Sequence, residues 1–174
     1  MTSTAKNEAT KRPQAPDGQH VAICCDVVDL GMIKVTYNNQ EKEQHKIRVW
    51  FQIGEYDTEG KRYLISRRFT LSLHEKAALR AFLESWRGKP YTEEESKAGI
   101  DVELMVGVSA LIQSAVNKND YADITSIMRL PKKMEAIEVE DYLRMKDRPT
   151  EGMDATTIGN DPLYDDEGDD SLPF

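Results

Sequence analysis

The pattern of apolar and polar positions begins with a long, interrupted β-prone run. Residues 20–28 are mostly apolar, and residues 32–37 resume the pattern after a break that contains Gly31. A glycine between two such runs is typical of a bulge or kink, so we predict one long strand bent at Gly31. Cys24 and Cys25 lie in the first run. Because neighbours on a strand point to opposite faces, the two thiols are poorly placed to form a disulfide with each other or to share a metal.

Two further strands are predicted, joined by a turn. Apolar residues occupy alternate positions between residues 46 and 53, which predicts a strand with one buried and one solvent-facing side. The buried side carries Ile47, Val49, Phe51 and Ile53. The solvent-facing side carries Lys46, Arg48, Trp50 and Gln52. A turn at 57–60 and a β-prone run at 62–71 predict a hairpin with a third strand.

A helix and two more strands follow. Ser72 and Glu75 predict a capping box at the start of the helix, and Gly88 predicts its end. The apolar face of this helix carries Leu79, Phe82, Leu83 and Trp86. Beyond it, residues 108–116 and 121–130 predict the fourth and fifth strands.

The order of these elements predicts the fold class and the division of the chain. Three strands, a helix and two strands over residues 18–133 follow the order of an OB-fold, so we predict a mainly β, five-stranded OB-fold barrel with its helix between strands 3 and 4. A generic α+β roll has the same order. Residues 1–17 are predicted to be a disordered arm, 134–149 a linker or short helix, and 150–174 a disordered acidic tail.

The polar side of the second strand is the candidate binding surface. A Trp exposed between cations is costly on a bare surface, but it is useful where bases stack on the ring while the cations hold phosphates. The alternative is a shifted register that buries Trp50 and turns Phe51 towards water. Cations and a tyrosine on neighbouring elements extend the predicted groove. The candidate single-stranded-DNA-binding residues are Lys34, Lys46, Arg48, Trp50, Gln52, Arg62, Arg67, Arg68, Lys118 and Tyr121.

Charge is distributed unevenly along the chain. The chain carries 23 Lys and Arg against 31 Asp and Glu, and residues 150–174 hold eight of those carboxylates and no basic residue. The net charge of −8 therefore resides in the tail. The tail ends in an acidic run followed by an apolar, aromatic tip, a combination suited to a pocket with a basic rim. The predicted partner-binding residues are Asp169, Asp170, Leu172, Pro173 and Phe174.

Two parts of the chain resemble known single-stranded-DNA-binding proteins. The last six residues resemble the acidic tip Asp-Asp-Asp-Ile/Leu-Pro-Phe of the bacterial proteins, with Ser171 in place of the third Asp. The middle of the chain is similar to phage-encoded members with an OB-fold, in the stretches Phe69-Thr70-Leu71-Ser72-Leu73 and Leu83-Glu84-Ser85-Trp86-Arg87-Gly88-Lys89. The Trp-Arg-Gly helix end and the short tail depart from the common bacterial form, so homotetramer formation is not carried over and a homo-oligomer stays open.

The resemblance implies a non-enzymatic protein that coats exposed single strands in DNA replication, recombination and repair. Its acidic tip is then expected to recruit other replication and recombination proteins. An acidic tail of this kind is also expected to compete weakly with DNA for the basic groove. The alternatives are a protein–protein adapter whose tail is the active element, and an RNA-binding OB module.

Other classes of function find little support in the sequence. His20, His45 and His74 lie on separate predicted elements, and no phosphate-binding glycine loop is present, so we predict no catalytic residue, cofactor or metal. No apolar run approaches the roughly 18 residues of a membrane span. Residues 1–17 lack the apolar centre of a signal peptide. These features favour the cytoplasm of a bacterial cell or phage-infected host.

Overall fold

The computed structural model describes residues 13–148, and its main element is a five-stranded antiparallel sheet. The strands are β1 (Gly18–Tyr37), β2 (Gln40–Tyr56), β3 (Arg62–Thr70), β4 (Ser109–Val116) and β5 (Ala122–Met128). Their order across the sheet is β3-β2-β1-β4-β5. The predicted mainly β class is confirmed, but the sheet is not closed into a barrel, because β3 and β5 are its two outer strands.

β1 is a single strand of 20 residues with two irregularities in its pairing with β2. The register shifts between Cys24 and Asp26 and again between Asp29 and Gly31. Gly31 has a φ of 73°, a left-handed conformation that glycine adopts without steric cost. Its N–H donates to the Asp29 carboxylate at 2.7 Å. The predicted bend at Gly31 is therefore confirmed, and the bulge at Cys25 adds a second one.

The helices occupy the connection between β3 and β4. They are α1 (Ala78–Arg87) and α2 (Glu93–Ala98), followed by a 3₁₀ turn at Val102–Met105. The predicted capping box at the start of α1 is wrong: the N-cap is Ala77, and the Ser72 hydroxyl accepts from the His74 N–H in a local turn instead. Gly88 ends α1 in the left-handed conformation, as predicted. No helix within residues 13–148 has both the length and the apolar character needed to cross a membrane.

The core lies between α1 and one face of the sheet. Phe51 of β2 lies 5.3 Å from Trp86 and Phe69 of β3 lies 4.7 Å from Phe82, measured between ring centroids. Such tilted aromatic pairs are favourable beyond the area that they bury. The predicted buried side of β2 is observed, because the buried core includes Ile47, Val49, Phe51 and Ile53. The face of the sheet turned away from α1 is called the outer face below.

The segment before β1 packs on β4 and β5. The Pro16 carbonyl accepts from the Ser114 hydroxyl at 2.6 Å, and the Gln14 side chain accepts from the Ala122 N–H at 2.8 Å. Ala15 between them is buried. The prediction of a disordered arm therefore does not hold for residues 13–17, which form hydrogen bonds with polar groups of the sheet. Residues 1–12 lie outside the described residues.

Residues 137–148, called the strap below, extend along the outer face of β1 and β2. The sequence predicted a linker or a short helix here, but the strap forms no α-helix and has only a 3₁₀ turn at Met145–Asp147. Its hydrogen bonds to the rest of the protein include side chains of β1, β2 and β3, and it does not join the strand ladder. The predicted tail, 150–174, and its five partner-binding residues lie outside the described residues.

Candidate nucleic-acid interface

The outer face of β2 and β3 brings together most of the candidate binding residues. On β2 it carries Lys46, Arg48, Trp50 and Gln52, as the alternation predicted. Their direct cross-strand partners on β3 are Thr70, Arg68, Ser66 and Leu64. We call Lys46, Arg48, Trp50 and Arg68 the cationic patch.

The predicted solvent exposure of the β2 side chains is wrong. Lys46 is 1% exposed, Arg48 and Trp50 are each 2% exposed, and Gln52 is 3% exposed. The register is nevertheless the predicted one, because Phe51 remains in the core cluster and Trp50 does not belong to it. The prediction treated the outer face as open to solvent, whereas the strap lies over part of it.

Hydroxyl groups of β3 hold the two cations of β2. Lys46 Nζ donates to Thr70 Oγ1 at 2.7 Å, and Arg48 Nη1 donates to Ser66 Oγ at 2.9 Å. The Arg48 guanidinium carbon lies 6.0 Å from the centre of the Trp50 ring. An aromatic ring beside fixed cations has the chemistry needed to stack a base and to hold the phosphates next to it.

Arg67 and Arg68 lie on opposite faces of β3. Arg68 faces Arg48 directly across the β2–β3 pairing and so belongs to the cationic patch. Arg67 lies on the core side, where its guanidinium carbon is 5.2 Å from the Phe69 ring and 5.9 Å from the Phe82 ring. Arg67, a candidate residue of the predicted groove, therefore lies outside it, because consecutive strand residues alternate between faces.

Three of the remaining candidates lie away from the cationic patch. Lys34 is exposed on the distal half of β1, where it pairs in register with Glu43. Lys118 is exposed in the turn between β4 and β5, and Tyr121, half-buried, follows that turn. Since β4 pairs only with the first residues of β1, the two locations are at opposite ends of β1. The predicted continuous groove does not include these residues.

Arg62 and Tyr56 meet the strap at the end of β2. Arg62 Nη2 donates to Glu140 at 3.1 Å, and the Tyr56 hydroxyl donates to the same carboxylate at 2.9 Å. The Arg62 guanidinium carbon lies 4.7 Å from the Tyr56 ring centre. The hydrogen bond to the Glu140 carboxylate raises the pKa of Tyr56. Two donors thus converge on one anion.

Gln52 fixes the strap at the same point. Its Nε2 donates to the Glu140 carbonyl at 2.6 Å, and its Oε1 accepts from the Glu140 N–H at 2.8 Å. The side-chain amide therefore pairs with a backbone peptide much as a neighbouring strand would. This reciprocal pairing accounts for the burial of the Gln52 side chain.

A second anchor holds the C-terminal part of the strap to β1. The buried Asp26 carboxylate accepts from the Tyr142 hydroxyl at 2.9 Å, from Arg144 Nε at 3.0 Å and from the Met145 N–H at 2.9 Å. Arg144 also binds Glu103 through two hydrogen bonds of 2.7 and 3.0 Å. These bonds lower the pKa of Glu103, and the Glu103 carboxylate raises that of Arg144.

Sequence reasoning missed this anchor, although the chain carries a signal for it. Asp26 is the only charged residue in the β-prone run 21–28. A carboxylate buried in a strand needs hydrogen-bond donors or a cation. Tyr142 and Arg144 supply them from more than 100 residues away.

Two further features of the described residues are the buried thiols and an apolar cavity. Burial raises the pKa of Cys24 to about 12 and that of Cys25 further, so both remain unreactive thiols. An apolar cavity of about 300 Å³ lies beside α1, and Trp86 and Leu104 are among its lining residues. Its lining includes no residue of β2 or β3. Residues 13–148 contain no cluster of three or more His, Cys, Asp or Glu placed to hold a metal ion.

No model of a protein family matches the chain, and no curated protein matches it.

Proposed function

We propose that this protein binds single-stranded DNA without sequence preference through the outer face of β2 and β3. One observation carries the proposal: Lys46, Arg48 and Arg68 lie on the same sheet face as Trp50, and the Arg48 guanidinium is 6.0 Å from its ring. Basic side chains interleaved with an aromatic ring form the pattern used to hold an unpaired strand. In this role the protein coats exposed strands during replication, recombination and repair in a bacterial or phage-infected cytoplasm.

The cationic patch supplies both contributions to such binding, namely base stacking and phosphate neutralisation. Stacking of one base on an aromatic ring contributes about 1–3 kcal/mol, and every base has a π-face, so this term tolerates any sequence. Each phosphate that a cation neutralises releases counterions and makes the affinity fall with salt. Stacking on Trp50 requires DNA to uncover the indole, so binding includes a rearrangement of whatever covers the ring.

The fold that we propose is an OB-fold whose sheet is open between β3 and β5. Support comes from the strand order, from the place of α1 between β3 and β4, and from the bend of β1 at Gly31. The outer strands also approach each other, because Arg67 Nη1 donates to the Ile124 carbonyl at 3.4 Å. OB-folds bind oligonucleotides with the sheet face that contains strands 2 and 3, which is the location of the cationic patch.

The acidic tail has a separate role in this proposal. Its tip, Asp169 to Phe174, recruits replication and recombination proteins, while its carboxylates compete weakly with DNA for the cationic patch. The eight carboxylates without a basic residue between 150 and 174 support this division of roles.

Fluorescence and anisotropy titrations with oligo-dT test the proposal. The chain has two tryptophans, so Trp86→Phe leaves Trp50 as the only indole and Trp50→Phe leaves the core Trp86. We expect oligo-dT to quench the emission of the Trp86→Phe variant, with the quenching reversed by salt, and to leave that of Trp50→Phe nearly unchanged. Trp50→Ala is expected to weaken binding of labelled oligo-dT about tenfold or more.

Circular dichroism of each variant identifies any loss of fold that would imitate a loss of binding. A wild-type chain that fails to bind labelled oligo-dT at low salt overturns the proposal and favours the protein–protein adapter. Stronger binding to oligo-U than to oligo-dT favours the RNA-binding module.

A further inference from the structure

Glu140 lies where two converging donors form a small anion site. The Arg62 side chain is 9% exposed, and its Nη1 donates to the Ile53 carbonyl at 3.3 Å while its guanidinium stacks on Tyr56. Arg62 is therefore held in one orientation with Nη2 directed at the Glu140 carboxylate. A guanidinium fixed in this way, with a hydroxyl beside it, suits a phosphate oxygen as well as a carboxylate oxygen.

Gln52 connects this anion site to the cationic patch. It lies two residues from Trp50 on the same face of β2, a separation of about 7 Å along a strand. Its amide offers one donor and one acceptor, which the Glu140 backbone now occupies. A nucleotide base presents donors and acceptors of the same kind on its edge.

We propose that Arg62, Tyr56 and Gln52 form a nucleotide subsite, and that Glu140 occupies it until single-stranded DNA replaces the carboxylate with a phosphate. The inference rests on the proposed function and specifies how its site is regulated. Arg62 and Tyr56 take the phosphate, and Gln52 takes the edge of the neighbouring base. The strap is then a competitor of DNA built into the folded part of the chain.

The two anchors of the strap differ in a way that permits such an exchange. Glu140 is 47% exposed, and ion pairs with an exposed partner are weak because water and salt screen them. The Asp26 carboxylate is 1% exposed and loses three hydrogen bonds if the strap leaves. Between them lies Asp141, whose φ of 47° marks a change of chain direction. We therefore expect residues 137–141 to move aside while residues 142–148 remain in place.

A pair of variants with equal charge tests the proposal. Glu140→Gln and Asp141→Asn each remove one negative charge, and Asn tolerates the left-handed conformation of position 141. Anisotropy of labelled oligo-dT at low salt is measured for the full-length wild type and for both variants. We expect Glu140→Gln to bind about three- to tenfold more tightly than the wild type, and Asp141→Asn to stay within about twofold.

Arg62→Gln connects the effect to the subsite. Alone, Arg62→Gln should weaken binding of oligo-dT. Adding Glu140→Gln to it should not increase the affinity, because the guanidinium for which Glu140 and the phosphate compete is absent. A full gain from Glu140→Gln in the Arg62→Gln background overturns the proposal.

The failures of the two proposals are distinguishable. A wild type that binds oligo-dT while Glu140→Gln binds no better than Asp141→Asn removes the subsite and leaves the proposed function intact. Failure of the wild type, Glu140→Gln and Asp141→Asn to bind at all removes both.

Discussion

Arg48 and Arg68 are direct cross-strand partners in the antiparallel pairing of β2 with β3. Like charges in directly opposed positions of a sheet repel each other. An anion bound on the outer face would reduce that repulsion.

Replacing the two neighbouring arginines of β3 should separate binding from folding. We expect Arg68→Gln to lower the affinity for oligo-dT and to reduce the slope of log K against log salt by about 0.7, with little change in stability. Arg67→Gln should instead lower the free energy of unfolding by about 1–2 kcal/mol, because Arg67 contacts Phe69 and Phe82, and should keep the salt slope. Salt-dependent titrations and urea unfolding measure the two effects, and a reduced slope for Arg67→Gln would contradict the assignment.

The buried carboxylate of β1 should be important for stability. Asp26→Asn removes the charge that pairs with Arg144 at 3.0 Å inside the protein, and we expect a loss of about 3 kcal/mol in the free energy of unfolding. Asp29→Asn on the same strand is the matched control, because Asp29 is 64% exposed, and its cost should stay below about 1 kcal/mol. Urea unfolding at neutral pH compares the two variants. Equal losses would show that the strap is not anchored through Asp26.

The ion pair between Glu103 and Arg144 should weaken in acid. The hydrogen bond from Arg144 holds the pKa of Glu103 below its usual value of about 4.3, so the pair stabilises the fold above that pH and loses its effect as pH falls through the lower, folded-state pKa. We expect Glu103→Gln to be less stable than the wild type by about 1 kcal/mol or less above pH 5, because the pair is partly exposed. The difference should shrink below about pH 4.

Thermal unfolding across this pH range measures the difference. Glu135→Gln, a change at an exposed position outside the strap, controls for the loss of one negative charge. A difference that persists unchanged at pH 3 would exclude this pair as its source.

Removing residues 150–174 should strengthen binding to DNA. The deletion takes away eight carboxylates and no basic residue, so a weak competitor for the cationic patch is lost. We expect a severalfold gain in oligo-dT affinity at low salt that disappears at high salt. Equal affinities of the truncated and full-length chains at all salt concentrations would show that the tail does not compete.

The strands of the sheet could be predicted from alternation and turn chemistry, but their ends could not. The pattern placed β2 at 46–53, whereas β2 extends from Gln40 to Tyr56 because its pairing with β1 continues to Tyr37 and Gln40. The added residues are mostly polar on both faces, so they show no period of two. Whether a sheet of this order closes into a barrel depends on pairing between β3 and β5. These strands are distant in sequence, so no local pattern predicts whether they pair.

In the candidate site, the face on which each side chain lies was predictable, but the segment that covers that face was not. Alternation placed Trp50 on the face opposite Phe51, and that assignment agrees with the structure. The covering of part of this face by the strap was not predictable, because the strap is held there by contacts such as Gln52 to Glu140, 88 residues apart. Periodicity describes one strand at a time and says nothing about a segment that crosses the sheet without joining its ladder.

The bulge at Cys25 gives the chain two neighbouring thiols that report on different events. Cys24 belongs to the core cluster, whereas Cys25 lies near Tyr142 of the strap, whose pKa is raised by burial and then by the Cys25 thiol. Pulsed alkylation followed by mass analysis can therefore tell release of residues 142–148 from global unfolding. Modification of Cys25 alone marks the first, and modification of both marks the second.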